Sequence, residues 1–149
     1  MVLGRLRELL SLECQKAPVR IGSLQLVCII DDDESVRAAT TCLVRSLGFS
    51  AHTFASAEEF LQSPYVQETF CLIVDVQMPR MSGIELQSRL RADGLSTPII
   101  FITAYPEERT KARALDAGAI GFLDKPFDSE TLIRCLDIAR SQQNDSASE

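Results

Sequence analysis

Residues 70–83, FCLIVDVQMPRMSG, constrain the fold more than any other part of this chain. An apolar run at 72–74 stops abruptly at Asp75, a Met-Pro pair follows, and Ser82-Gly83 opens a new helical pattern. A short continuous apolar run bounded this way predicts a strand buried on both faces, delivering an acid to its carboxyl end. In open parallel sheets the crevice outside those strand ends is where ligands bind. Alone, Asp75 would be read as satisfying a turn, so the question is what the other strand ends carry.

The same unit recurs along the chain. Residues 26–30 predict a first strand, and Asp31-Asp32-Asp33-Glu34 follows it. Val36, Thr40, Leu43, Val44 and Leu47 then share one face of a helix, which Gly48 closes. Residues 50–54 predict a second strand. Ser56 and Glu59 form a capping box for a helix running to about Leu61, with Pro64 limiting its length. After the third strand, Ile84, Leu86 and Leu90 mark a helix. Pro98 introduces a fourth strand at 99–102 that ends at Thr103-Ala104. Pro106 at a first helical turn opens a helix to Ala117, closed by Gly118. Residues 120–123 predict the fifth strand, leading into Asp124-Lys125-Pro126. Asp128 caps a last helix carrying Leu132, Leu136 and Ala139. Five strands alternating with five helices through short connections require parallel crossovers, hence a doubly wound α/β sandwich.

The 149 residues fit one such domain, at about residues 24–140, with short extensions. In residues 1–23, Leu3, Leu6 and Leu10 at helical spacing predict a short amphipathic helix, followed by a linker; the segment lacks the apolar core of a signal peptide. The tail, 141–149, is polar and small, a composition expected to be disordered. Fifteen basic against 21 acidic residues, a net charge of -6, argue against a nucleic-acid face, and no apolar stretch is long enough to span a bilayer. The five cysteines include no CxxC pair, and Cys28 and Cys71 sit in strand-like runs, which suits a reduced, cytoplasmic protein.

The strand ends share a chemistry. Strand one offers Asp31 and Asp32, strand three Asp75, strand four Thr103 and strand five Lys125. Any one of Asp31–Asp33 alone would be read as a helix cap, and Thr103 or Lys125 alone as a surface residue. Together they meet at one rim. Carboxylates about 5 Å apart repel by roughly 3 kcal/mol per pair at an effective dielectric near 20, so such a cluster calls for a cation. Hard oxygen ligands favour Mg²⁺. With the ion bound, Asp75 can attack a phosphoryl group, Lys125 can neutralise one phosphoryl oxygen and Thr103 can hydrogen-bond another.

In order and spacing, IIDDDE, LIVDVQMPRMSG, FITA and FLDKPF resemble the strand-end motifs of response-regulator receiver domains, with the FixJ-type branch the nearest in flavour. The resemblance covers residues 24–140 and implies a flavodoxin-like sheet in the order 2-1-3-4-5. It implies that Asp75 is the phosphoacceptor, that Asp32, Asp75 and the backbone carbonyl of Gln77 bind Mg²⁺ directly, and that Asp31 does so through water. Thr103 and Phe122 take the switch positions, Lys125 is the phosphate-binding cation, and Lys125-Pro126 is a cis peptide. Gln77 and Tyr105 stand where receivers modulate loss of the phosphoryl group. The implied partners are a sensor histidine kinase and a downstream protein or a second copy of the chain, without direct nucleic-acid contact.

Other classes fit less well. A phosphatase of the haloacid-dehalogenase type needs an acid two residues after its nucleophile, and that position is Gln77. A dinucleotide site needs glycines where the first strand-helix turn is acidic. His52, on strand two, has no Ser or Cys partner and is expected to be structural. A docking or dimerisation module that works without phosphorylation stays open as an alternative. So does a receiver fragment of a two-domain transcription factor, since only nine residues follow Arg140.

Overall fold

The computed structural model describes residues 25–147, and side chains up to residue 143. Five parallel strands, β1 (Leu26–Ile30), β2 (Ser50–Phe54), β3 (Thr69–Asp75), β4 (Ile99–Thr103) and β5 (Gly121–Asp124), form one sheet in the order β2-β1-β3-β4-β5. Five helices alternate with them: α1 (Glu34–Ser46), α2 (Ala57–Leu61), α3 (Gly83–Ala92), α4 (Glu108–Asp116) and α5 (Ser129–Ala147). This is the doubly wound architecture and strand order expected from the sequence. The amphipathic helix expected within residues 1–23 lies outside the described residues, as does Cys14.

Period-two alternation sends successive residues of the central strands into separate apolar layers. Val27, Ile29, Cys71, Ile73, Ile100 and Ile102 point to one layer, closed by Val44 of α1 and by Leu132, Cys135, Leu136 and Ala139 of α5. Cys28, Ile30, Leu72, Val74, Ile99 and Phe101 point to the other, closed by Phe60 of α2, Leu86 and Leu90 of α3 and Ala114 of α4. Every residue of β3 is buried. Strand and helix registers therefore agree on one solution, and removing a buried isoleucine such as Ile73 would cost about 2–5 kcal/mol. The thiols of Cys28, Cys71 and Cys135 are free and buried, and burial pushes Cys28 up to about 11. Among the described residues no helix is long and apolar enough to cross a membrane.

Helix boundaries follow local chemistry. Asp33 caps α1 through the N–H groups of Ser35 and Val36, and a Ser82–Glu85 capping box starts α3. Gly83 lets that start press against the sheet, because a Cβ there would lie 2.6 Å from the carbonyl oxygen of Asp75. Helix α4 begins at Glu108, later than Pro106 suggests, because the Tyr105 N–H is turned back onto the Thr103 hydroxyl at 3.0 Å. No side chain caps α4, and Ala114 is its buried residue. The carbonyl of Ala114 accepts from Nε2 of Gln87, a buried polar side chain of α3, at 3.2 Å.

The last helix differs from expectation. It continues past Arg140 to Ala147, because 141–147 contain neither Gly nor Pro and contacts reach back to the start of β1. Gln25 Nε2 donates to Gln143 Oε1 at 2.8 Å, Arg140 Nε donates to Gln25 Oε1 at 3.4 Å, and the Arg140 guanidinium lies 4.7 Å from the Phe49 ring centroid.

Candidate functional site

The parallel register brings the carboxyl ends of β1, β3, β4 and β5 to one edge. Asp75 pairs with Ile102, and Thr103 with Asp124. The residues just beyond the strands extend the same ladder: Asp31 N donates to Phe54 O at 3.1 Å, Val76 N to Ile102 O at 2.9 Å and Lys125 N to Thr103 O at 2.7 Å. Backbone hydrogen bonds thus fix the Cα positions of the acids, the hydroxyl and the amine before any side chain is considered.

The side chains converge. Asp31, Asp32 and Asp75 each place a carboxylate oxygen within 4.8 Å of the others, with Asp31 and Asp75 buried and Asp32 exposed. Lys125 Nζ reaches between two of them, 2.9 Å from Asp31 Oδ2 and 3.4 Å from Asp75 Oδ2. Its short charge-assisted contact with Asp31 Oδ2 is the one partner of that buried oxygen among the described residues, and a carboxylate oxygen has a second lone pair to offer. The other Asp31 oxygen accepts from the Asp33 N–H at 2.8 Å.

Electrostatics mark the acid on β3. Burial, and then the charge of Asp31, push the Asp75 carboxyl up to about 6 against the opposing pull of Lys125. Burial pulls the Lys125 ammonium down, but the neighbouring carboxylates more than offset this and leave it above the ordinary lysine value. One ammonium therefore undercompensates the acids around it. These residues fit a divalent cation: an oxygen-only donor set, a buried oxygen with spare acceptor capacity, and one acid whose ionisation lacks sufficient positive charge nearby.

The remaining candidates flank this centre. Thr103 is fully buried, and its hydroxyl donates to Gln77 Oε1 at 2.7 Å. Gln77 also donates its backbone N–H to Asp75 Oδ1 at 3.3 Å. Phe122 is half-buried on β5 with its ring centroid 6.2 Å from that of Phe101. The Lys125–Pro126 peptide bond is cis. Tyr105 is 73% exposed on the loop before α4. His52 lies on β2, stacked on Tyr65 with centroids 4.0 Å apart.

Two features escaped the sequence reading. Arg37 Nη1 donates to the backbone oxygen of Asp31 at 2.6 Å, adding a cation beside the acidic strand end. Its signal was faint: an arginine one turn into the helix that follows the acids. Arg80, at φ 67, places a non-glycine residue in left-handed backbone between Asp75 and α3.

Comparison with known proteins agrees with this geometry. The family model described as "Response regulator receiver domain" matches residues 27–137. The response regulator protein TodT of Pseudomonas putida is 40% identical over 111 residues, covering 74% of this chain and 49% of TodT. The chain thus spans about half the length of the curated relatives it matches. Among solved structures, the response regulator StyR aligns with a TM-score of 0.70 at 40% identity, covering 85% of this chain and 67% of StyR. FixJ-N aligns with a TM-score of 0.69 at 34% identity, covering 77% of this chain and 92% of that one. With the sheet order, the strand-end acids and these alignments in agreement, this chain belongs to the response regulator receiver domains of two-component systems.

Proposed function

We propose that the chain is a phosphorylation switch in which Asp75 accepts a phosphoryl group from a histidine kinase or a small phosphodonor. The carrying observation is the convergence of Asp31, Asp32 and Asp75 on one rim, with Lys125 Nζ between two of the three. A carboxylate oxygen of Asp75 attacks phosphorus. The bond from phosphorus to the donor's nitrogen or oxygen breaks, and the leaving group keeps the electron pair.

Asp32, Asp75 and the backbone carbonyl of Gln77 would hold Mg²⁺, with Asp31 acting through water. When bound, the ion supplies charge neutralisation and orientation for the incoming phosphoryl oxygens. Lys125 holds a second oxygen by ion pairing. Thr103 offers its hydroxyl to a third, which draws the end of β4 toward Asp75 and gives Phe122 room to turn inward. The surface formed by α4, β5 and α5 then changes, and a downstream protein or a second copy reads it.

Incubation with acetyl phosphate and Mg²⁺ should add one phosphoryl mass to the wild type and none to Asp75→Asn, with chelator abolishing the gain. Equal labelling of the wild type and the variant would overturn the reading.

A further inference from the structure

The single hydrogen of the buried Thr103 hydroxyl is already committed. Its oxygen accepts from the Tyr105 N–H at 3.0 Å, and its hydrogen is donated to Gln77 Oε1 at 2.7 Å. Through its backbone N–H, the same glutamine also holds Asp75 Oδ1. A residue two positions after the acid therefore grips both the acid and the hydroxyl that is to serve it.

A hydroxyl carries one hydrogen, so Thr103 cannot donate to Gln77 and to a phosphoryl oxygen on Asp75 at the same time. The two acceptors are unequal. A charged phosphoryl oxygen forms a stronger hydrogen bond than a neutral amide oxygen. Gln77 is exposed, so once released its amide is resolvated by water, whereas the buried hydroxyl always needs a protein or phosphoryl partner.

We propose that the Gln77 side chain is the resting-state latch of Thr103, a positioning residue that sets how readily a phosphoryl group captures the switch hydroxyl. The proposal rests on the reading of Asp75 as phosphoacceptor and Thr103 as its hydroxyl. Gln77 holds the resting arrangement by the net worth of one neutral hydrogen bond, equivalent to roughly a three- to tenfold bias in the equilibrium. Gln77→Met keeps the length of the side chain and removes the acceptor.

The test is a titration of the full chain with beryllofluoride in excess Mg²⁺, followed by the backbone amide resonances of Tyr105 and Phe122. Gln77→Met is expected to bind beryllofluoride roughly three- to tenfold more tightly than the wild type. In a Thr103→Val background the same substitution is expected to change nothing, because the hydrogen it competes for is gone. Thr103→Ala provides the comparison if valine is not accommodated.

Unchanged or weaker binding by Gln77→Met would overturn the latch, as would equal tightening with and without the hydroxyl, which a space-filling glutamine would give. A wild-type chain that does not bind beryllofluoride would overturn the phosphoacceptor reading as well. A wild type that binds, beside a Gln77→Met that binds no better, would overturn the latch alone.

Discussion

Lys125 Nζ lies 2.9 Å from Asp31 Oδ2, a carboxylate with no exposure to solvent. The pair joins strand ends that lie on opposite sides of β3 in the sheet. Removing the amine leaves two buried acids facing each other, and this cost grows as Asp75 ionises. Lys125→Met is therefore expected to lose about 1–3 kcal/mol of stability at pH 8 without Mg²⁺. Urea unfolding at pH 8 and pH 5 checks this, with the smaller loss expected at pH 5, where the Asp75 carboxyl is more fully protonated.

The Asp75 carboxyl, pushed up to about 6 first by burial and then by Asp31, makes the opposite kind of prediction. A carboxyl whose folded value lies above its unfolded value binds protons more tightly in the folded chain. Metal-free stability therefore falls as pH rises from the ordinary aspartate value of 3.8 through about 6. Asp75→Asn removes that titration and should raise the metal-free melting temperature at pH 8, with little gain at pH 4. Thermal unfolding in chelator reads the difference.

Protons and Mg²⁺ should compete for the same oxygens. Below the Asp75 titration, apparent Mg²⁺ affinity is expected to rise about tenfold per pH unit and then level off above it. Calorimetric titration between pH 5 and pH 8 gives the slope. Asp75→Asn should flatten it.

Asp128 holds the first turn of α5, its Oδ1 accepting from both the N–H and the hydroxyl of Thr131 at 2.7 Å. Those bonds, from the backbone first, keep its carboxyl below the usual value. The stabilisation is thus present above the unfolded value and lost as pH falls through the folded one. Asp128→Ala should melt at a lower temperature at pH 7, and the gap to the wild type should close toward pH 3.

Gly83 is the steric test. Its missing Cβ would lie 2.6 Å from Asp75 O and 3.1 Å from both Phe101 and Val74. Gly83→Ala must therefore move α3 away from the end of β3, at an expected cost of about 1–3 kcal/mol in urea unfolding.

The fold was readable in the sequence where one physical cause controlled it. Apolar runs that end in Asp31, Asp75 and Thr103 predict buried strands, and parallel crossovers then place those ends on one edge. Contacts between exposed or distant polar side chains were not readable. Gln77 and Thr103 are 26 residues apart, and no periodicity links them. The same holds for Gln87, buried on α3 yet bonded to the backbone of α4. The length of α5 was underestimated because its last turns are polar on every side and their support, Gln25, belongs to the far end of the chain. The start of α4 was displaced by a hydroxyl outside the helix, where proline statistics do not look.

Helix α4 is moored by one alanine and a neighbour's amide, is bare of any capping side chain, and contributes no donor atom to the acidic rim. Asp31, Asp32, Asp75, Thr103 and Lys125 all lie outside it, so a substitution on its outward face leaves every one of them in place. On the proposed reading, the group that accepts phosphorus and the face that a partner recognises are thus carried by different residues.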